Sequence, residues 1–104
     1  MHRLTVLYPA KEGENFDYDY FFKKHHKLVV SLLKPEGMVS CEFDKGGTDL
    51  AGDKAPYIAT AYLKFNSLDE LQKALTKHGL EILRDIPNYT KIEPIRQVDE
   101  VMAS

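Results

Sequence analysis

The segment YIATAYLKF, residues 57–65, carries the strongest strand pattern in the chain. Tyrosine, alanine, leucine and phenylalanine occupy its odd-numbered positions, and Ile58 and Tyr62 lie among the even-numbered ones. Because successive side chains of a strand point to opposite faces of the sheet, both faces of this strand are largely apolar. A strand of this kind needs cover on both sides of its sheet.

A hairpin is predicted immediately before this strand. The segment MVSCEFD, residues 38–44, alternates Val39, Cys41 and Phe43 with polar side chains, which is typical of a half-buried strand. The linking segment, residues 45–56, contains three glycines and ends in a proline, so it reads as a long loop.

Two further strands lie near the ends of the chain. Residues 3–8, RLTVLY, alternate apolar and polar side chains. Residues 91–101, KIEPIRQVDEV, are a plausible strand that Pro94 confines to a sheet edge or a bulge.

Two helix patterns separate these strands. Asp17 is a good N-cap for the first helix, which must end near Pro35. Ser67 is expected to cap the second helix, which either ends at Gly79 or continues for further turns before Pro87.

The order of elements is therefore strand, helix, strand, strand, helix, strand. This βαββαβ order is typical of the ferredoxin-like, split βαβ fold of the α+β class, in which one antiparallel sheet has two helices on one face. We expect residues 1–104 to form a single domain of this kind. Because helices cover only one face, the two-sided strand predicts that a second copy of the chain covers the other, so we expect a homodimer.

Composition excludes several classes of function. A net charge of −2 leaves no basic surface for nucleic acid or an anionic membrane. No apolar run is long enough to span a bilayer, and the first residues do not resemble a secretory signal. One cysteine fits a reducing compartment, so we expect a cytoplasmic protein. No metal-binding, nucleotide or flavin motif is present, and we predict no metal and no cofactor.

Two histidines form the main candidate constellation. His25, within FFKKHHKLVV at residues 21–30, lies near the centre of the apolar stripe of the first helix, and His78 continues that of the second. Both imidazoles are expected to line one space between helices and sheet. If the second helix continues past Gly79, Asp85 lies on the same side as His78 and is placed to fix an imidazole tautomer.

Each of these residues also has a simpler interpretation. A histidine on an apolar stripe is commonly a core residue hydrogen-bonded to a backbone carbonyl. His78, beside Gly79, is equally explained by the negative end of a helix. A lone Cys41 between apolar neighbours is expected to be a packed residue and not a nucleophile.

A ligand cavity is predicted beside the histidines, with ordinary packing as the alternative. Small alanines leave room, and tyrosines offer apolar faces with hydroxyl groups. The residues predicted to contact a ligand on these grounds are Tyr8, Tyr18, Phe22, Tyr57, Ala59 and Ala61.

Four segments carry a resemblance that runs over almost the whole chain in one register. They are LTVLYP at 4–9, FDYDYFFKKHHKLV at 16–29, APY at 55–57 and DIPNYTKIEPIRQVDEV at 85–101. They resemble the EthD family, named for a protein associated with ethyl tert-butyl ether degradation. The resemblance implies a ferredoxin-like fold and a dimer whose two sheets meet face to face as a dimeric α+β barrel.

The resemblance also implies site residues. By position, the histidines of the family fall on His25 and His78, and the acidic residue that opens the DIPNYT motif falls on Asp85. Tyr89, inside that motif, joins the predicted ligand contacts. One departure is Lys27, where relatives often have a proline two residues after the first histidine.

Two functions are compatible with these residues. The first is a cofactor-independent oxygenase, isomerase or cyclase acting on a small aromatic, quinone or polyketide-like molecule, with His25 as general acid or base and His78 or Asp85 orienting it. The second is a non-catalytic dimeric carrier or accessory protein of an oxidative degradation pathway. A role for either histidine as a haem ligand is a third alternative.

Overall fold

The predicted element order is confirmed in the structure, a computed structural model that describes residues 1–104. The four strands form one antiparallel sheet in the order β2-β3-β1-β4. Their bounds are β1 His2–Pro9, β2 Met38–Lys45, β3 Tyr57–Phe65 and β4 Ile95–Glu100. Strand β3 is thus an inner strand, and β4, which begins directly after Pro94, is an edge strand as predicted.

Helix α1 is built from four consecutive segments. It begins as an α-helix at Tyr18–Tyr20, becomes a π-helix at Phe21–His25, returns to an α-helix at His26–Leu33 and ends in a 3-10 turn at Lys34–Glu36. The carboxylate of Asp17 accepts the backbone N–H of Tyr20 at 3.1 Å, so the predicted N-cap is present.

Helix α2 spans Leu68–Asp85 and is followed by a 3-10 turn at Ile86–Asn88. The hydroxyl of Ser67 accepts the backbone N–H of Glu70 at 3.1 Å, as expected of an N-cap. The helix therefore passes through Gly79, which is the longer of the two predicted alternatives.

The core lies between the two helices and one face of the sheet. The odd-numbered side chains of β3 point to this face. Among them, Ala59, Leu63 and Phe65 are buried in one cluster with Phe21 and Leu33 of α1. The predicted pattern of β2 needs one correction, because a register shift between Met38 and Ser40 turns Val39 outward, where it is 49% exposed. No helix combines the length and apolarity needed to cross a membrane.

Candidate functional site

The π-helical turn is the first unusual feature of the site. It covers Phe21–His25 and is closed by the backbone N–H of His26, which bonds to the carbonyl of Phe21. Such turns are rare and are often found at functional sites. Both of its end residues are buried, with His25 only 4% exposed, so the turn presents an imidazole to the interior.

His25 is paired with a carboxylate 60 residues away in the chain. Its Nδ1 lies 2.8 Å from Oδ2 of Asp85. The other carboxylate oxygen, Oδ1, accepts the hydroxyl of Tyr20 at 2.6 Å and the amide of Asn88 at 2.9 Å. The partner of His25 is thus an ionisable group held by two further donors, and not the backbone carbonyl of the simpler interpretation.

Three contacts hold the DIPNYT segment against the start of α1. The backbone N–H of Asp17 donates to the carbonyl of Tyr89 at 2.8 Å. The hydroxyl of Thr90 donates to the carbonyl of Asn15 at 2.9 Å, and Phe16 and Thr90 form an isolated β-bridge. These contacts bring the end of α2 to α1 and so place the carboxylate beside the imidazole.

The protonation of the pair follows from its surroundings. Burial lowers the pKa of His25, and the hydrogen bond and charge of Asp85 oppose this only in part. Burial alone would raise the pKa of Asp85, but the hydrogen bonds from Tyr20, His25 and Asn88 together outweigh it and hold that pKa below its ordinary value. At neutral pH the carboxylate is therefore ionised and the imidazole is neutral.

The tautomer of His25 follows in turn. An ionised carboxylate only accepts hydrogen bonds, so Nδ1 of His25 carries the proton. Nε2 then has a free lone pair. This atom makes no hydrogen bond within the chain, and it is not among the fully buried atoms that lack a partner. Since His25 lines a cavity, Nε2 is the atom available to a ligand there.

A pair of tyrosine hydroxyls lies next to the imidazole. The hydroxyls of Tyr8 and Tyr89 are 2.5 Å apart, and the ring centroid of Tyr89 is 4.8 Å from that of His25. Burial raises the pKa of both tyrosines, so both hydroxyls remain protonated at neutral pH.

The cavity lies between α1, α2 and the helix side of the sheet and has a volume of about 300 Å³. That volume is at the lower end of the range for small-molecule sites. Apart from His25, Arg96 and the hydroxyl of Tyr8, the lining is apolar. It consists of Phe21, His25 and Val29 of α1, Leu75, Gly79, Ile82 and Leu83 of α2, Ile86 of the following turn, and Leu4, Val6, Tyr8, Phe43, Ala61, Leu63 and Arg96 of the sheet.

The prediction that both histidines line one space is wrong for His78. Its Nε2 bonds to Oε2 of Glu36 at 3.0 Å, beside Lys77, which pairs with the same carboxylate. Although His78 and Asp85 share a helix face, seven residues place them about 10 Å apart along the axis. His78 therefore lies opposite the end of α1, and Asp85 orients His25 instead.

Four of the predicted ligand contacts also lie outside the cavity. The hydroxyl of Tyr18 donates to the carbonyl of Ile58 at 3.1 Å, and the ring of Phe22 stacks on that of Tyr18. Ala59 is completely buried in the core, and Tyr57 opens β3 without lining the cavity. Of the predicted contacts, Tyr8 and Ala61 line the cavity, and Tyr89 contacts His25 from the side.

Tyr20 and Arg96 were not predicted from the sequence as polar residues of the site, and Asn88 was placed within the DIPNYT motif without a role. Tyr20 lies five residues before His25, a spacing that becomes meaningful only once the π-helical turn is known. Asn88 follows Asp85 by three residues, which is one helical turn and a spacing that could have been noticed. Arg96 shares a face of β4 with Val98, but the alternation of β4 alone does not reveal which face is inward.

Two other kinds of site, a cysteine nucleophile and a metal site, can be compared with the structure. Burial raises the pKa of the Cys41 thiol to about 12, which leaves it protonated and poorly nucleophilic. No group of three His, Cys, Asp or Glu side chains is placed to hold a metal ion.

The fold defines the chain as a member of a broad class of ferredoxin-like α+β proteins. It superposes on an EthD-like protein from Ralstonia eutropha JMP134 with a TM-score of 0.88 and 31% identity, covering 98% of this chain and 92% of that one. An EthD family protein from Bacillus halodurans C-125 gives a TM-score of 0.76 at 18% identity, covering 98% of this chain and 99% of that one. SnoaB, a cofactor-independent oxygenase from Streptomyces nogalater, shares the fold at a TM-score of 0.60 and 11% identity, covering 99% of this chain and 93% of that one.

Because it is 31% identical to the Ralstonia eutropha protein over 98% of its own length, the chain belongs to the EthD-like family. No protein-family model matches it, and no curated protein does.

Proposed function

We propose that this chain binds a small apolar molecule of aromatic, quinone or polyketide type in the cavity, and that His25 acts on it as a general base. The observation that carries the proposal is the unpaired Nε2 of His25, which belongs to a neutral imidazole in an apolar cavity while an ionised Asp85 holds Nδ1. An imidazole in this state is ready to accept a proton at neutral pH.

A cofactor-free reaction follows from this arrangement. Nε2 removes a proton from an acidic C–H or O–H bond of the ligand, which leaves an enolate or phenolate and an imidazolium. Asp85 stabilises the imidazolium through its existing hydrogen bond. When Tyr89 donates to Tyr8, the proton of the Tyr8 hydroxyl is free to bond to the new oxyanion. Return of the proton to another carbon completes an isomerisation. In a ring closure the carbanion first adds to a carbonyl carbon of the same ligand, and the imidazolium then returns the proton to the alkoxide oxygen.

An oxygenase is a related candidate, and the fold shared with a cofactor-independent oxygenase supports it. The same deprotonation would produce an electron-rich carbanion able to react with dioxygen. The base, the carboxylate that orients it and the cavity are common to these reactions, so the proposal is for a proton-abstracting site and not for one product.

The second candidate is a non-catalytic carrier of an apolar metabolite. The observation that favours it is that the hydroxyls of Tyr8 and Tyr89 bond to one another, so that the site offers few donors to a ligand. In this reading His25 and Asp85 stabilise the wall of the cavity and perform no chemistry.

Both candidates require that the cavity binds a ligand, and Gly79 allows a test. It lines the cavity within α2, and a Cβ built there meets no atom within 4 Å. Gly79→Leu is expected to fill the cavity and to weaken binding of 1-naphthol at least about tenfold, since the ligand would compete with a side chain that occupies its volume. Fluorescence titration of purified protein would measure this.

Gly79→Ala is the matched control. It adds one methyl group, leaves most of the cavity open and should raise helix stability by up to about 1 kcal/mol, while 1-naphthol binds as it does to wild type. Equal affinity in wild type and both variants would show that the ligand does not occupy this cavity.

We also propose that the chain is a homodimer. Leu7, Tyr62 and Ile95 lie on the sheet face away from the helices and form an apolar surface on the isolated chain. Sedimentation should give twice the 11.9 kDa mass of the chain, and Leu7→Lys should shift the protein toward monomer, because a desolvated lysine at this face opposes association. A wild-type monomer at micromolar concentration would overturn the proposal.

A further inference from the structure

We infer that the ligand carries an oxyanion, most simply a carboxylate, and that Arg96 binds it at the mouth of the cavity. The inference rests on the proposed function, because it names the substrate class of the same cavity. The observation behind it is a single guanidinium, without a partner, in the lining of an otherwise apolar space.

The register of β4 explains why Arg96 is there. Arg96 pairs with Val6 and Val98 pairs with Leu4, and both partners on β1 lie on the helix side of the sheet. Arg96 therefore lies on the same side as the cavity, and it remains exposed because β4 is the edge strand. The homodimer proposed above uses the opposite face of the sheet, so it leaves Arg96 accessible.

No group of the chain neutralises Arg96. The ion pairs of the structure involve other basic residues, and Arg96 makes no side-chain hydrogen bond. No aspartate or glutamate is among the cavity-lining residues. A guanidinium presents a planar fork of N–H donors that matches a carboxylate with two parallel hydrogen bonds. A ligand anion would therefore complete an interaction that the protein leaves open.

The volume and the lining of the cavity predict the rest of the ligand, which is apolar. A cavity of about 150 Å³ accepts a benzene ring, and this one has about 300 Å³. Its remaining walls are mainly aliphatic and aromatic, from Leu75 and Ile82 of α2 to Phe21 of α1. The space suits an acid with an apolar body of about two rings, whose reacting bond approaches His25 while its carboxylate meets Arg96.

The test compares two probes of nearly equal size, 2-naphthoate and the neutral 2-naphthamide, by titration at pH 7.5. Wild type should bind the acid about tenfold more tightly than the amide, as expected for one partly exposed charge-assisted pair. Arg96→Gln should remove this preference and leave the affinity for the amide unchanged within about twofold. The thermal midpoint of the variant should match that of wild type, because Arg96 makes no contact that holds the fold.

Arg84→Gln is the matched control. Arg84 is an exposed arginine at the end of α2 that does not line the cavity, so its loss changes the net charge equally. This variant should keep the preference of wild type for the acid. An equal loss of preference in Arg84→Gln would overturn the inference, because net charge and not Arg96 would then select the acid.

Two other outcomes separate this inference from the proposed function. If wild type binds both probes with equal affinity, the assignment of Arg96 is wrong and the ligand cavity stands. If wild type binds neither probe, both are overturned.

Discussion

Asp85→Asn is expected to lower the free energy of unfolding by about 3 kcal/mol, which corresponds to a fall of about 15 °C in the thermal midpoint of a domain of this size. The carboxylate accepts hydrogen bonds from His25, Tyr20 and Asn88. An asparagine keeps one acceptor oxygen and turns an N–H₂ group toward donors, so at least one of these three donors loses its partner. Chemical and thermal denaturation would measure the loss.

The same variant should move the titration of His25. The hydrogen bond and charge of Asp85 raise the pKa of His25 and so oppose the effect of burial. Without that charge, the pKa of His25 should fall further below its ordinary value of 6.5, and the ring should stay neutral to a lower pH than in wild type. Nuclear magnetic resonance of the ring would follow this titration. An unchanged or higher pKa in the variant would contradict the pairing of His25 with an ionised Asp85.

The variant also separates the two candidate functions. If the chain is an enzyme, turnover of a bound aromatic substrate should fall by at least about a hundredfold, because the imidazole loses its fixed tautomer. If it is a carrier, ligand affinity should change only slightly. Asp69→Asn serves as control: its side chain is 72% exposed and pairs with Lys73, so a loss within about 0.5 kcal/mol is expected.

Phe21→Ala is expected to lower the free energy of unfolding by about 4 kcal/mol. Phe21 is completely buried, and its ring lies 4.5 Å from that of Phe43, 5.0 Å from that of Phe16 and 5.2 Å from that of Tyr89, measured between centroids. Removing the ring leaves a void where strand, helix and the DIPNYT segment meet, and these elements cannot all close on it. Urea denaturation would report the change.

Phe22→Ala is the matched control for the loss of a phenyl ring from the same turn. Phe22 is only partly buried, so its removal should cost about 1 kcal/mol. If Phe21→Ala is not recovered folded, Phe21→Leu should fold and lose about 1.5 kcal/mol. Equal losses for the alanine variants at positions 21 and 22 would contradict the burial described for Phe21.

Much of the fold could be predicted because the relevant signals are local. The alternation of residues 57–65 reports the two faces of β3, and Ser67 and Asp17 mark helix starts through bonds that span three residues. Pro94 could be assigned to an edge because it cannot donate a ladder hydrogen bond. The bulge at Val39 could not be predicted in this way, since one added residue changes no local preference.

The site was only partly predictable. The apolar stripe of α1 correctly indicated that His25 faces inward. A helical projection gives an angle around one axis but neither the height along it nor the position of another helix, so His78 was grouped with the wrong partner. The position of Arg96 in the cavity lining could not be predicted from the sequence, because it depends on which face of the edge strand β4 meets the cavity.

The sequence by itself determined the order of strands and helices, the inward orientation of His25 and the family to which the DIPNYT segment points. These properties depend on periodicity and on hydrogen bonds between near neighbours. Only the tertiary structure decided that Asp85 belongs to His25, that His78 belongs to Glu36 and that Arg96 is left without a partner. The physical reason is that such pairings depend on how helices and sheet pack, which is set by contacts distributed over the whole core.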